Sequence, residues 1–111
     1  MPGLTPISDQ LVEEIVTRIV EKFHPKRVIA FGSYARGEHG PDSDLDLIVE
    51  MESDKPFWER TLAVSELFVP RDWALDLLVY TPQELADETA IWGTLPQMIE
   101  KEARVLYERP S

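Results

Sequence analysis

Three aspartates and one Gly-Ser step are the residues of this chain best suited to chemistry. Asp44 and Asp46 sit one residue apart at the mouth of an apolar run, within FGSYARGEHGPDSDLDLIVE, residues 31–50. Asp76 stands alone inside a second apolar run, WALDLLVY, residues 73–80. In a strand, residues two apart share a face, with Cα atoms about 6.6 Å apart. Asp44 and Asp46 are therefore predicted to project together while Leu45 and Leu47 turn the other way. Two ionised carboxylates that close repel, and burying them without a partner is costly. A bound cation, a nearby Arg or Lys, or exposure to water would relieve them. Asp76 poses the same problem, with Leu75 and Leu77 beside it and Ala74 and Leu78 as same-face neighbours; Arg36 and Arg71 are its candidate ion-pair partners. If the two runs are neighbouring strands, all three aspartates face one spot. Such a trio of hard oxygen donors suits Mg²⁺ or Mn²⁺ rather than zinc. Mg²⁺ commonly completes its shell with substrate phosphates and water, so the cluster points to phosphoryl or nucleotidyl transfer.

Gly32-Ser33 supplies a phosphate end for such a site. It follows an apolar run and precedes a predicted helical turn. Glycine lets a ligand approach the backbone closely, and free N–H groups at a helix start bind phosphate. The Ser33 hydroxyl adds a donor, and Arg36 is placed to meet phosphate or to neutralise Asp44 or Asp46. Two more familiar motifs are excluded. Gly32 to Gly37 has P-loop spacing, but Glu38 and His39 follow where Lys and Ser/Thr belong. Asp42, Asp44 and Asp46 imitate the start of an EF-hand loop, but Leu47 replaces its glycine and Ser53 its closing Glu.

The elements that must position these residues follow from periodicity. Residues 8–23 read as an amphipathic helix, with Leu11, Val12, Ile15, Val16, Ile19, Val20 and Phe23 on one stripe. Ser8 or Asp9 caps its start, and His24-Pro25 ends it. Strands are predicted at 28–31, 45–49, 73–80 and 104–107, with a helical turn at 34–37. A helix at about 56–68 should turn Phe57, Thr61, Val64, Leu67 and Phe68 inward. Thr81, Pro82 and Glu84 form a capping box that opens another helix. Thr94 to Gln97 offers a similar box for a last helix at 95–102. The sum is a small mixed sheet flanked by helices, an α/β (α+β) domain.

Bulk properties narrow the setting. The 111 residues suffice for one core, so a single domain over 1–111 is expected. There are no cysteines, which removes disulfides and thiolate zinc sites. The start MPGLTPISDQ has neither a basic region nor an apolar core, so no signal peptide is expected, and no run is long enough to cross a bilayer. A cytoplasmic location and no membrane partner follow as expectations. The net charge of −10 repels phosphate backbones, favouring a basic protein partner over direct nucleic-acid binding. His24 and His39 read as surface residues, and Trp58, Trp73 and Trp92 as core or interface residues.

The set Gly32-Ser33, Ala35-Arg36-Gly37, Ser43-Asp44, Asp46-Leu47 and the lone Asp76 resembles the DNA polymerase β-type nucleotidyltransferase superfamily. More closely, it resembles the minimal nucleotidyltransferases (MNT). The resemblance runs from about Val28 to Tyr80. It implies the polymerase β-like nucleotidyltransferase fold, with Asp44 and Asp46 holding two Mg²⁺ ions on ATP. Asp76 would complete one metal site and help activate the attacking hydroxyl. Gly32 and Ser33 would bind the β- and γ-phosphates with Arg36 in support, and AMP would be transferred with release of pyrophosphate. Larger relatives carry a second domain for the acceptor, which implies here an acceptor on another chain. Proteins of this size serve as antitoxins of HEPN–MNT toxin–antitoxin pairs, some adenylylating a tyrosine of the HEPN ribonuclease. The expected function is therefore Mg²⁺-dependent adenylylation of an HEPN toxin. The alternatives are an antitoxin that only masks the toxin, and a transferase acting on a small-molecule hydroxyl.

Overall fold

The computed structural model of the protein describes residues 6–38, 40, 43–91 and 103–110. The apolar stripe near the N-terminus winds into α1 (Asp9–Phe23), burying Val12, Ile15, Val16 and Ile19. Ser8 Oγ accepts from the Leu11 N–H at 3.1 Å, as the capping residues predict. His24 stops the helix in the left-handed conformation, φ 50°, with its N–H on Val20 O. It is exposed, as expected. Residue 39 and Trp92 lie outside the described residues, as does the predicted helix at 95–102.

Four strands follow: β1 (Arg27–Phe31), β2 (Leu45–Glu50), β3 (Leu75–Tyr80) and β4 (Arg104–Glu108). They form one sheet in the order β3-β2-β1-β4. β1 is antiparallel to β2 and β4, whereas β2 and β3 run parallel. The sheet is therefore mixed, as the sequence predicts. A parallel neighbour needs a crossover, and α3 (Phe57–Ser65) with a 3-10 turn (Glu66–Phe68) provides it. α2 (Gly32–Arg36) joins β1 towards β2, and α4 (Pro82–Ile91) follows β3.

The two sheet faces are unequal, and this decides where charge can sit. Val28, Ala30, Leu45, Leu47, Val49, Leu77 and Val79 enter the main core against α1, Val64 and Phe68. Among the described residues, the opposite face carries a smaller cluster of Ile29, Ile48 and Leu85, with Phe31, Leu78, Tyr80 and Ala103 packed against it. Asp46 and Asp76 alternate onto that face, where water reaches them.

Local differences from the sequence reading have simple causes. α2 begins at Gly32 rather than at 34, because Gly32 itself makes the turn with φ +70°. β3 begins at Leu75, since Trp73 instead packs edge-on against Phe68, with centroids 5.6 Å apart. Phe57 is largely exposed and leans on Tyr80 at 5.4 Å. The inward place is taken by Arg60, 4% exposed. Its Nε donates to Val79 O at 3.0 Å, and the Val79 N–H donates to Thr61 Oγ1 at 3.3 Å. Together they satisfy backbone groups on the outer edge of β3, which no strand covers. Arg60 also donates to Lys55 O and to the Glu84 carboxylate. Glu84 closes the predicted capping box, accepting from the Thr81 N–H at 2.9 Å while its own N–H reaches Thr81 Oγ1 at 3.2 Å. Buried Glu50 is held by Arg27, its partner across β1 and β2. No described helix is long and apolar enough to cross a membrane.

Candidate active site

Parallel pairing brings the aspartates together. Asp46 lies in register with Asp76 across β2 and β3, and with Phe31 across β2 and β1. Neighbouring strands lie about 4.8 Å apart, so side chains in register on one face touch or nearly touch. Gly32 follows Phe31 directly, which sets it above the same aspartate. A Cβ built on Gly32 would collide with Asp46 Oδ2. Glycine is thus required twice, by its positive φ and by the carboxylate packed against it. Leu45 and Leu47, both at 0% exposure, hold β2 from the opposite face.

Asp46 is the stressed member of the group. Its pKa is pushed from the ordinary 3.8 up to about 6, first by burial and then by the charges of Asp76 and Asp44. A side-chain hydrogen bond with Asp76 raises it further, while Arg36 pulls the other way. That bond between two carboxyls needs a proton, which the pair shares. Asp44 lies exposed just before β2. Asp76 is exposed as well, so water meets the electrostatic demand that its apolar sequence neighbours suggest. Among the described residues, neither Arg36 nor Arg71 forms an ion pair with Asp76. Arg36 instead binds Glu38, Nε to Oε2 at 3.0 Å, in the open.

A cleft of about 220 Å³ is lined by Phe31, Asp46, Asp76, Leu77 and Leu78. Larger concavities, about 530 and 400 Å³, run along α1, away from the carboxylates. Among the described residues, no three acidic or histidine side chains are arranged to hold one metal ion. Asp46 and Asp76 make the close pair, with Asp44 within electrostatic reach.

Tyr34 anchors the Gly-Ser turn from below. It is 3% exposed, and its hydroxyl donates to Asp9 Oδ1 on α1 at 2.7 Å. Burial, aided by Asp9, pushes its pKa up to about 12. Gly37, φ +72°, ends α2 with its N–H on Ser33 O and Tyr34 O. Ser33 is left half-buried at the start of that helix.

The chain that carries this G-S turn and these aspartates has relatives among known proteins. The nucleotidyltransferase domain family matches residues 12–107. This chain belongs to that family. Among nucleotidyltransferase relatives are two proteins of Methanocaldococcus jannaschii, each named a "putative protein adenylyltransferase". One is 25% identical over 101 residues, spanning 89% of this chain and 97% of its own length. The other is 40% identical over 47 residues, 41% of this chain and 47% of its own length. In fold, the domain is similar to a "putative nucleotidyltransferase" from Sulfolobus solfataricus. The TM-score is 0.63 at 23% identity, over 90% of this chain and 79% of that one. It is also similar to a chain of a structure described as "the toxin-antitoxin with AMP-PNP". There the TM-score is 0.56 at 20% identity, over 87% of this chain and 73% of that one. These two likenesses concern the fold, which is that of a nucleotidyltransferase.

Sequence reasoning foresaw a third aspartate in a strand beside Asp46. It missed the Gly32–Asp46 contact, the Arg36–Glu38 pair and the exposure of Asp76. A glycine directly after a buried strand was the signal available for the first of these.

Proposed function

We propose that this chain is a single minimal nucleotidyltransferase domain over 1–111 that acts as an antitoxin. It would transfer AMP from ATP to a hydroxyl, a tyrosine above all, of an HEPN ribonuclease toxin. The observation that carries this reading is the register of Asp46 against Asp76, with Gly32 packed on the Asp46 carboxylate. The names of the M. jannaschii relatives support a protein acceptor. The toxin–antitoxin neighbour supports a paired partner and an adenine nucleotide.

Asp44, Asp46 and Asp76 would hold one or two Mg²⁺ ions, with Mn²⁺ as the substitute. The donor chemistry fits at the Asp46–Asp76 pair, whose hard oxygen donors suit Mg²⁺ and where the raised pKa of Asp46 marks negative charge that a cation relieves, and Asp44 would have to swing in to join them. Bound Mg²⁺ would neutralise triphosphate charge and polarise the phosphoryl oxygens. Gly32 keeps side-chain bulk away from the triphosphate. Ser33 donates its hydroxyl to a phosphate oxygen, and Arg36, paired with exposed Glu38, turns to the same group. Asp76 accepts the proton of the attacking hydroxyl. The acceptor oxygen bonds the α-phosphorus as the bond to the bridging oxygen breaks, and pyrophosphate leaves. Positioning accounts for most of the protein's contribution to such a step.

The test is to incubate the chain with Mg²⁺, labelled ATP and an HEPN protein from a neighbouring gene, the acceptor this reading requires. Label should appear on the HEPN protein and vanish with Asp46→Asn/Asp76→Asn. Unlabelled partner in a confirmed complex with the wild type would refute catalysis. Neutralisation by binding alone is the second reading, favoured by the net charge of −10 facing a basic RNA-cleaving protein. It requires that Asp44→Ala/Asp46→Ala still protect cells from the toxin.

A further inference from the structure

α3 carries an apolar line that the fold leaves in water. Trp58 is 66% exposed, Leu62 51% and Val69 65%. Trp58 and Leu62 are one turn apart, on the side of α3 away from buried Val64. Val69 follows the 3-10 turn and is exposed as well. Apolar residues scattered singly on a surface need no explanation, whereas a contiguous line marks contact with another molecule.

Charge selects the partner. The exposed charges between 57 and 70 are Glu59 and Glu66. Arg60, the one cation of that segment, is buried against Val79 O and Glu84. Nearby guanidinium groups are engaged: Arg18 donates to Leu67 O at 2.6 Å, and Arg71 lies 5.7 Å from the Trp73 ring centre. These groups keep their charge, as does exposed Lys55, so the Val69 end carries both signs and the acidic part of the rim is Glu59 and Glu66, in a chain of net charge −10. A second copy would set Glu59 and Glu66 against like charges, between chains of net charge −10. A partner with a basic, partly apolar surface meets no such repulsion.

Direction links this line to the candidate site. Phe57 packs on Tyr80, the last residue of β3, while Phe68 packs on Trp73, just before β3 begins. α3 thus runs antiparallel to β3 along its open edge and core face, with its Val69 end at the sheet end that holds Asp76; Asp76 lies on the other face, so a partner seated on this line reaches it around that edge.

We propose that Trp58, Leu62 and Val69, rimmed by Glu59 and Glu66, form the docking face for a basic protein partner. That face delivers the partner's acceptor hydroxyl to the Asp76 end of the sheet. This rests on the adenylyltransferase reading above, whose acceptor protein is the partner. The experiment is calorimetric titration of the neighbouring HEPN protein into wild type, Trp58→Ala/Leu62→Ser and Asp46→Asn. The surface variant should bind about 30-fold more weakly or worse. Its melting temperature and its stabilisation by Mg²⁺-ATP should match the wild type, because both residues are exposed. Asp46→Asn should bind as the wild type does. Glu59→Gln/Glu66→Gln should weaken binding several-fold in dilute buffer, and the difference should fade near 1 M salt, where the screening length is about 3 Å. Wild-type binding that survives Trp58→Ala/Leu62→Ser overturns the docking face alone. No binding by the wild type overturns the antitoxin reading, and with it the partner assigned here.

Discussion

Asp46→Asn should make the ligand-free protein more stable at neutral pH. The Asp46 pKa rises from 3.8 to about 6 on folding, first through burial and then through Asp76 and Asp44. A carboxyl with a raised native pKa favours folding fully below its unfolded pKa. That advantage is lost as pH rises through the native pKa, here between 3.8 and about 6. A shift of this size corresponds to an upper bound of roughly 3 kcal/mol. Asp46 is only partly buried, so screening by water lowers the figure to about 1–2 kcal/mol. Asparagine mimics the protonated acid, and its amide can donate to Asp76 at every pH. The variant should therefore melt roughly 4–10 °C above the wild type at pH 8. The gap should close by pH 4, where wild-type Asp46 carries its own proton. The assay is urea and thermal unfolding of both proteins across that range, without metal or nucleotide. A variant equal to or weaker than the wild type at pH 8 would refute the reasoning, as would a gap of the same size at pH 4.

Mg²⁺-ATP should stabilise the wild type by about 2.7 kcal/mol at a hundredfold excess over Kd, read as a rise in melting temperature, and should leave Asp46→Asn/Asp76→Asn unmoved. Gly32→Ala should cost roughly 1–3 kcal/mol in urea unfolding, because φ is +70° and the new Cβ meets Asp46 Oδ2. Adding Asp46→Ala should recover only the collision part of that loss, and full recovery would show that the backbone is unstrained. Arg60→Ala should cost about 2–4 kcal/mol by orphaning Val79 O at the β3 edge, and Arg60→Lys should rescue less than half, since one ammonium cannot reproduce the guanidinium fork.

Much of this architecture is written in local pattern. The stripe of α1, the alternation around Asp46 and the Thr81–Glu84 box depend on near neighbours in the chain, and each is found as the sequence predicts. The mixed sheet was legible as a class because strands and helices alternate. Its strand order was not, because one strand's pattern does not name its neighbour. The union of Asp46 with Asp76 was therefore conditional until β2 and β3 were seen to pair. The inward place of Arg60 was not foreseen, for a related reason. A charge on an amphipathic helix reads as outward unless the open strand edge that it serves is known. Asp76 was overstated as a buried charge, since its apolar neighbours in sequence do not reveal that it lies exposed on its own face of the sheet. Phe57 read as inward from its place on the helix, and its exposure follows from the orientation of α3 on β3; Trp58 read as core or interface, and its exposure removes the core alternative.

The single parallel step in this sheet makes Asp76 a sentinel of correct assembly. A one-residue slip of β3 would exchange its two faces. Asp76 would be driven among Leu45, Leu47 and Val28, while Leu75 or Leu77 surfaced opposite Asp46. That arrangement buries a lone carboxylate in the main core and cannot compete with the native one. Misregistered chains are therefore rejected by the same residue that completes the acidic pair. Selection for that pair and selection against misfolding act on one position, so losing Asp76 would remove a guard on folding fidelity along with any chemistry.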